Sequence, residues 1–468
     1  MHVSEATTIV YRKRRNVELA GVLITSLFGI GGFLLTHLNR DGTLPAQAWT
    51  ISAIWLIICL AAHLSVRWRA PYADPTLLPI VLALNGLGLA MIHRLDLSLG
   101  TSGANSQLVW SALGVALFLA ALVFVRDYRV LDGLPYVLFA IGMVLLLLPV
   151  VPGLSSPNNE LNGSQIWIEV FGYSFQPAEI AKVLLAIAFA SYLAERRELL
   201  QLAGRKIGRI NLPRMRDLLP LLVMAGAGLV VLVFENDLGT SLLFFGLFVM
   251  VLFVATSQAR WVVIAALLFG IAALAIMKFV PHVTTRMSSW LDPFSNYDAN
   301  YQVIQAQYGI AWGGLFGRGW GLGRPQQVPV ASSDFISAAI AEELGLVGLL
   351  AVILLYGIFV SRGMKVALTS RDAFGKLLAS GFSFVIALQV FVIIGGVTRL
   401  LPLTGLTTPF MSQGGSSLIA NWIIVAMLLQ ISHQARRPRL PVDDGAPIAN
   451  LSDEDTQVLD LRGIGDGR

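Results

Sequence analysis

The chain has 468 residues, 56% of them hydrophobic and 13% charged, with a mean hydropathy of +0.71. That balance excludes a water-soluble globule of this length and describes an integral membrane protein. The formal charge of +5 does not indicate nucleic-acid binding, because the basic residues cluster beside apolar runs, and a lone cysteine, Cys59, excludes a disulfide framework or a Cys-based metal site.

Basic YRKRRN (11–16) precedes a full-length apolar run at 18–37 that has no A-x-A-type site, so no cleavable signal is expected. Further spans are predicted near 49–66, 77–94, 106–125, 135–152, 177–194, 218–234, 238–256, 261–280, 336–361, 377–398 and 409–432, twelve in all. Runs of about 20 apolar residues cross the hydrocarbon as helices, and the lack of ten-residue alternation argues against a β-barrel. The predicted fold class is therefore an all-α polytopic membrane protein. Basic residues fall in every second connection: RWR (67–69), RDYR (126–129), the run at 196–216, and 362–376, with HQARRPR (433–439) after the last span. The stretch 153–176 contains neither Lys nor Arg. Positive charge marks the cytoplasmic side, so both termini are expected there.

This orientation sends several polar segments to the outer face. SFQPAEIAK (174–182) places Glu179 and Lys182 at i, i+3, on one helix face, just inside a span. Charges there are costly and usually mark a site, although an interfacial ion pair is the plainer alternative. Asp237 in ENDLGTS, with Glu235 beside it, starts another span and doubles as an ordinary N-cap. The connection 281–335 is unusually long for a structureless segment. It carries Arg286, Asp292 and Asp298 in RMSSWLDPFSNYDANYQ, then Arg318 and Arg324 around a Gly-rich GGLFGRGWGLG, then Asp334 in SSDF. The glycines follow no strand, which weakens a nucleotide-binding interpretation, and most are expected to form a flexible interfacial loop. Adjacent Glu342 and Glu343 lie in AEELG, and Arg399 and Ser416 lie in the Pro/Gly-broken TRLLPLTGLTTPFMSQGGSS.

In this order, SFQPAEIAK, ENDLGTS, the LDPF…YQ loop with its Gly-rich sequel, SSDFISAAIAEELGLVG and PLTGLTTPFMSQGGSS resemble the SEDS (shape, elongation, division and sporulation) family, closest to its RodA branch. The resemblance covers roughly 74–432 and implies a ten-helix transmembrane core, with 1–73 adding a basic N-terminus and two further helices and 433–468 forming a cytoplasmic tail. It implies a peptidoglycan glycosyltransferase that polymerises lipid II at the outer face of the bacterial cytoplasmic membrane during cell elongation. The implied partner is a class B penicillin-binding protein, a transpeptidase, and a divalent cation, Mg or Mn, could assist. Glu179 and Lys182 match an important pair of the family, and Asp237, Arg286, Asp334, Glu342, Glu343, Arg399 and Ser416 are the other cavity candidates. The family's loop reads D-P-x-x-D-P-x-G-x-G-Y-Q and its second Asp is the usual catalytic candidate. Here Asn296 stands at that position, so the catalytic candidates are Asp298 and then Asp292. Ile166 replaces an Arg common before Trp167, and Gln413 replaces a Tyr.

Two other classes remain open on architecture alone. A lipid-precursor flippase or transporter would share the helices, although no repeat relates the halves and the charges cluster outside rather than at the midplane. A non-catalytic scaffold for the penicillin-binding partner is the other. The acidic tail, 440–468, is expected to lack order.

Overall fold

Within hydrocarbon every backbone N–H and C=O needs an internal partner, so the apolar runs resolve as helices. The computed structural model describes residues 12–438, apart from 152, 155–165, 171, 203–204, 208–209, 213–219, 221–222, 225, 227–236 and 280. Among the described residues, nine helices are long and apolar enough to cross a membrane. They are α1 (Arg15–Asp41), α2 (Ala46–Arg69), α3 (Leu77–Leu99), α4 (Gly103–Phe124), α6 (Pro177–Leu202), α7 (Leu238–Thr256), α11 (Ile336–Thr369), α12 (Ala373–Val397) and α13 (Gly415–Arg436). The fifth and ninth predicted spans are α5 (Pro135–Leu147) and α8 (Ala259–Phe279). The seventh, 218–234, falls mostly outside the described residues, as do Glu235 and the tail 440–468. A short antiparallel hairpin, β1 (Ile168–Val170) with β2 (Tyr173–Phe175), leads into α6.

α3 and α13 are the most enclosed helices, whereas α1 and α4 turn apolar faces outward. The N-terminal pair is not peripheral to the fold. α1 packs along α3, and the indole of Trp320 donates to the Gly32 carbonyl and to Thr36 Oγ1, each at 2.9 Å. Asn39 Nδ2 returns a bond to the Trp320 carbonyl at 2.7 Å. Trp320→Phe keeps the ring but leaves both buried acceptors without this donor. A loss of about 1–2 kcal/mol in thermal unfolding is expected, and no loss would mean that α1 does not brace this segment.

The connection 281–335 has a fold of its own, correcting the picture of a long structureless loop. It holds α9 (Pro281–Leu291), a 3-10 turn at Pro293–Asn296 and α10 (Tyr301–Gly313). The Gly-rich stretch is not a flexible loop either. Its backbone threads against a break in α11 at Gly345, whose φ of 71° and ψ of −172° are open to glycine alone. Arg318 N and Gly319 N donate to the carbonyls of Glu342 and Glu343 at 3.0 Å, while Leu346 N and Val347 N donate back to Gly314 and Leu315 at 2.9 and 3.1 Å. A Cβ on Gly345 would lie 2.3 Å from Gly317 N, so the glycines permit backbone-to-backbone contact.

The last span starts later than the predicted 409, at Gly415, because Phe410 holds a left-handed φ of 65° and Gly414 an extended one, neither of which continues a helix. The irregular backbone before it is nevertheless buried, and amide side chains satisfy it. Asn85 of α3 donates to the Phe410 carbonyl at 3.0 Å, Gln107 of α4 to that of Ser412 at 3.0 Å, and Gln389 of α12 to that of Thr407 at 2.8 Å. The Tyr356 hydroxyl donates to the Pro409 carbonyl. Non-helical backbone at membrane depth survives only with such partners.

Candidate active site

These irregular segments wall a cleft of about 450 Å³ at one end of the bundle. Four elements supply its charged groups. Asp237 comes from the start of α7, Arg286 from α9, Asp334 from the turn before α11, and Arg399 from the turn after α12. Asp237 is both the N-cap and a lining residue: its carboxylate accepts from Gly239 N at 2.9 Å, Thr240 N at 3.3 Å and Thr240 Oγ1 at 2.5 Å. Arg286 Nη1 donates to the Thr404 carbonyl at 3.0 Å. Arg286 and Asp334 approach the same backbone position, since a Cβ on Gly405 would lie 3.7 Å from Arg286 Nη2 and 3.9 Å from Asp334 Oδ2. Burial pushes the Asp334 carboxyl above the ordinary carboxylate range, opposed by the Ser333 hydroxyl and Arg286 and reinforced by Asp237.

Arg399 is clasped to Trp290. Its Nη2 donates to the Trp290 carbonyl, and the Trp290 indole donates to the Arg399 carbonyl, both at 3.0 Å. Arg399 holds a left-handed φ of 61°, a strained conformation that this reciprocal pair maintains.

A buried polar layer adjoins the cleft. Thr240, bonded to Asp237, also lines a small cavity with Glu179, Lys182 and Gln389. Lys182 Nζ donates to Glu179 at 2.6 Å, Gln389 Oε1 at 3.2 Å and Asn421 Oδ1 at 3.4 Å. Lys182 and Glu179 are 2% and 6% exposed, so the pair does not snorkel to water. Ser416 is buried, but its neighbour Ser417 joins this layer, accepting from Thr407 Oγ1 at 2.9 Å and from Asn421 Nδ2 at 3.3 Å.

Other sequence candidates stand elsewhere. Glu342 and Glu343 do not line the cleft; they latch the Gly-rich segment. Glu342 Oε1 accepts from Arg324 N at 2.5 Å, and Glu343 accepts from Gly321 N and Arg94 Nε, each at 2.9 Å. Asp292 is exposed and caps the 3-10 turn through Phe294 N at 3.2 Å. Asp298 is exposed at the cleft's rim, next in sequence to Ala299 and Asn300, which line it. Asn296 accepts from Ala299 N at 3.1 Å and so shapes that turn. Sequence reasoning missed Asn300, Trp290, Gln389 and Asn421. The last two had a visible signal, as lone amides inside apolar spans.

A family profile described as cell cycle protein (FtsW, RodA, SpoVE) matches residues 75–437. The peptidoglycan glycosyltransferase RodA of Mycobacterium tuberculosis is 46% identical over 432 residues, 91% of this chain and 92% of that protein. Among solved structures, a chain from a peptidoglycan synthase complex described as coordinating polymerization and crosslinking superimposes with a TM-score of 0.63 at 27% identity, over 78% of this chain and 99% of that one. The crystal structure of the rod shape determining protein RodA of Thermus thermophilus gives a TM-score of 0.55 at 26% identity, over 80% and 100%. By the extent of the profile match and by its polytopic helical fold, this chain, a multi-pass protein of the bacterial cell membrane, belongs to the FtsW/RodA/SpoVE family.

Proposed function

We propose that this chain is a peptidoglycan glycosyltransferase that polymerises lipid II at the outer face of the cytoplasmic membrane during wall elongation. The observation that carries this reading is the cleft, where groups from four distant segments converge beside a buried charge layer, in a chain so similar to proteins named for that activity. In this reading both termini lie in the cytoplasm, supported by the arginines that end α2 and α13 and follow α4, at the opposite end of the bundle from the cleft. The transferase core begins at 74 and runs through α13, which ends at Arg436, and the α1–α2 pair of 1–73 braces it.

Glycosyl transfer joins an acceptor hydroxyl to the donor's anomeric carbon as the bond from that carbon to the lipid pyrophosphate breaks. The acceptor proton passes to a carboxylate, and Asp298 at the rim takes this role, with Asp292 as the second candidate. Arg286 and Arg399 balance the charge developing on the departing pyrophosphate. Lys182 and Glu179 hold the cleft's inner wall through Gln389 and Asn421. A divalent cation, Mg or Mn, would be held by Asp334, which lines the cleft, and would supply positive charge for the departing pyrophosphate. A class B penicillin-binding protein crosslinks the product, in keeping with the two activities named for the solved complex.

The test is lipid II polymerisation by purified protein with a transpeptidase partner whose own glycosyltransferase activity, if any, is blocked. Wild type should give polymer. Asp298→Ala should lower the rate by 10²-fold or more, the usual contribution of a general base, while Asp292→Ala retains most of it. Asp334→Asn should shift the acid limb of the pH profile, since its raised carboxyl titrates above its ordinary range. Absence of polymer from folded wild type with either Mg or Mn would overturn the enzyme reading in favour of lipid transport or scaffolding.

A further inference from the structure

At the end of the bundle away from the cleft lies a pocket of about 480 Å³ that the transferase chemistry does not use. Arg69, Arg126, Arg129, Arg371 and Arg437 line it, against a single carboxylate, Asp127. Three of these arginines are committed. Arg69 donates to the carbonyls of Leu122 and Val123 at 3.4 and 3.2 Å, Arg129 pairs with Asp372 at 3.2 Å, and Arg371 donates to the Arg437 carbonyl at 2.7 Å. The side chains of Arg126 and Arg437 have no hydrogen-bond or ion-pair partner among the described residues. The Arg126 backbone is nonetheless held in place, because Gln430 and Gln434 both donate to its carbonyl, at 2.6 and 3.0 Å. Gln430 also lines the pocket, is 4% exposed, and its Oε1 lacks a hydrogen-bond partner among the described residues.

A bias toward cytoplasmic arginine explains scattered charge at helix ends. It does not explain a concavity where, among the described residues, two guanidiniums are uncommitted and a buried acceptor is orphaned. Guanidiniums select phosphoryl oxygens, and an unpaired buried carbonyl oxygen accepts from an N–H or O–H donor, such as a hydroxyl carried by the same ligand. Apolar side chains flank the arginines in sequence. Trp68, Phe124 and Val130 are 67%, 84% and 73% exposed, and the Arg69 guanidinium lies 5.1 Å over the Trp68 ring. Such residues at a helix end meet acyl chains at the membrane boundary. We infer that this pocket binds the headgroup of an anionic phospholipid of the phosphatidylglycerol type, whose phosphodiester meets Arg126 and Arg437 and whose glycerol hydroxyl donates to Gln430.

The chemistry is shared with water-soluble glycerol phosphate, and titration of the full-length protein in nonionic detergent, read by native mass spectrometry, separates the two. Phosphatidylglycerol should bind at least tenfold more tightly than phosphatidylcholine or sn-glycerol 3-phosphate. Arg126→Ala with Arg437→Ala should weaken it about twenty-fivefold, at about fivefold for each charge. Gln430→Leu should weaken it about fivefold, the weight of one hydrogen bond. Lys365→Ala with Lys376→Ala, exposed lysines on neighbouring helix ends outside the pocket, should change it little. Equal losses in the two double variants would reduce the pocket to general surface charge. Equal binding of phosphatidylcholine, or of glycerol phosphate, would also overturn the assignment, the latter making it a site for soluble phosphate.

Discussion

Gly345→Ala is expected to cost about 3 kcal/mol or more of stability. Its backbone occupies a region open to glycine alone, worth about 1–3 kcal/mol of strain for another residue. The added carbon would also lie 2.4 Å from the Leu315 carbonyl oxygen and 2.3 Å from Gly317 N, and neither is the end of a flexible side chain. Relieving those contacts means pulling the Gly-rich segment off the break in α11, with the loss of the Arg318, Gly319, Leu346 and Val347 backbone bonds and the Glu343 latch. Gly357 on the same helix is the internal control. A Cβ there meets nothing within 4 Å, so Gly357→Ala should be neutral or stabilising by up to about 1 kcal/mol from helix propensity. Melting curves of the two variants in detergent should diverge in opposite directions. Equal melting points would show that α11 runs unbroken through Gly345.

Lys182→Met should be almost as severe, at about 3–5 kcal/mol, because it strands the Glu179 carboxylate inside the bundle. The double change Glu179→Gln with Lys182→Met should recover much of that loss, since two neutral side chains of similar size no longer require burial of a charge. Lipid II polymerisation should stay low in both, because Gln389 and Asn421 lose the ammonium that orients them. The decisive comparison is therefore between the single and the double variant. A double variant less stable than Lys182→Met alone would falsify the claim that the burial of unpaired charge dominates.

Much of this arrangement is legible from residue order because it rests on local physics. Hydropathy alone marks the spans, since leaving water depends on a run of about 20 side chains rather than on their neighbours in space. Glu179 and Lys182 share a helix face by spacing, and Asp237 announces a helix start by its residue type. The contacts that reach across the chain are hidden. Glu343 pairs with Arg94, which is 249 residues away, so AEELG looks like a cavity motif when it is a latch. The break at Gly345 lies inside a span that averaged hydropathy marks as one continuous helix, so hydropathy has no signal for it. The helices of 281–335 escape notice because their polarity matches an outer-surface connection rather than a span. Asp298 is the hardest case, because it stands two residues past Asn296 and residue type alone does not say which position meets the substrate.

Gln389 ties two parts of the molecule to one side chain. Its Oε1 receives the Lys182 ammonium and its Nε2 holds the Thr407 carbonyl, so the two ends of a single amide clamp α6 and the segment leading into α13 against α12. A flip of that amide would present a donor to an ammonium and an acceptor to a carbonyl, which disfavours it twice over. Any sliding of α12 along its axis must therefore carry both neighbours with it or break both bonds together. The segment that shapes the cleft wall is in this sense geared to α6 and α12, and a displacement of either helix would reach it through one planar group.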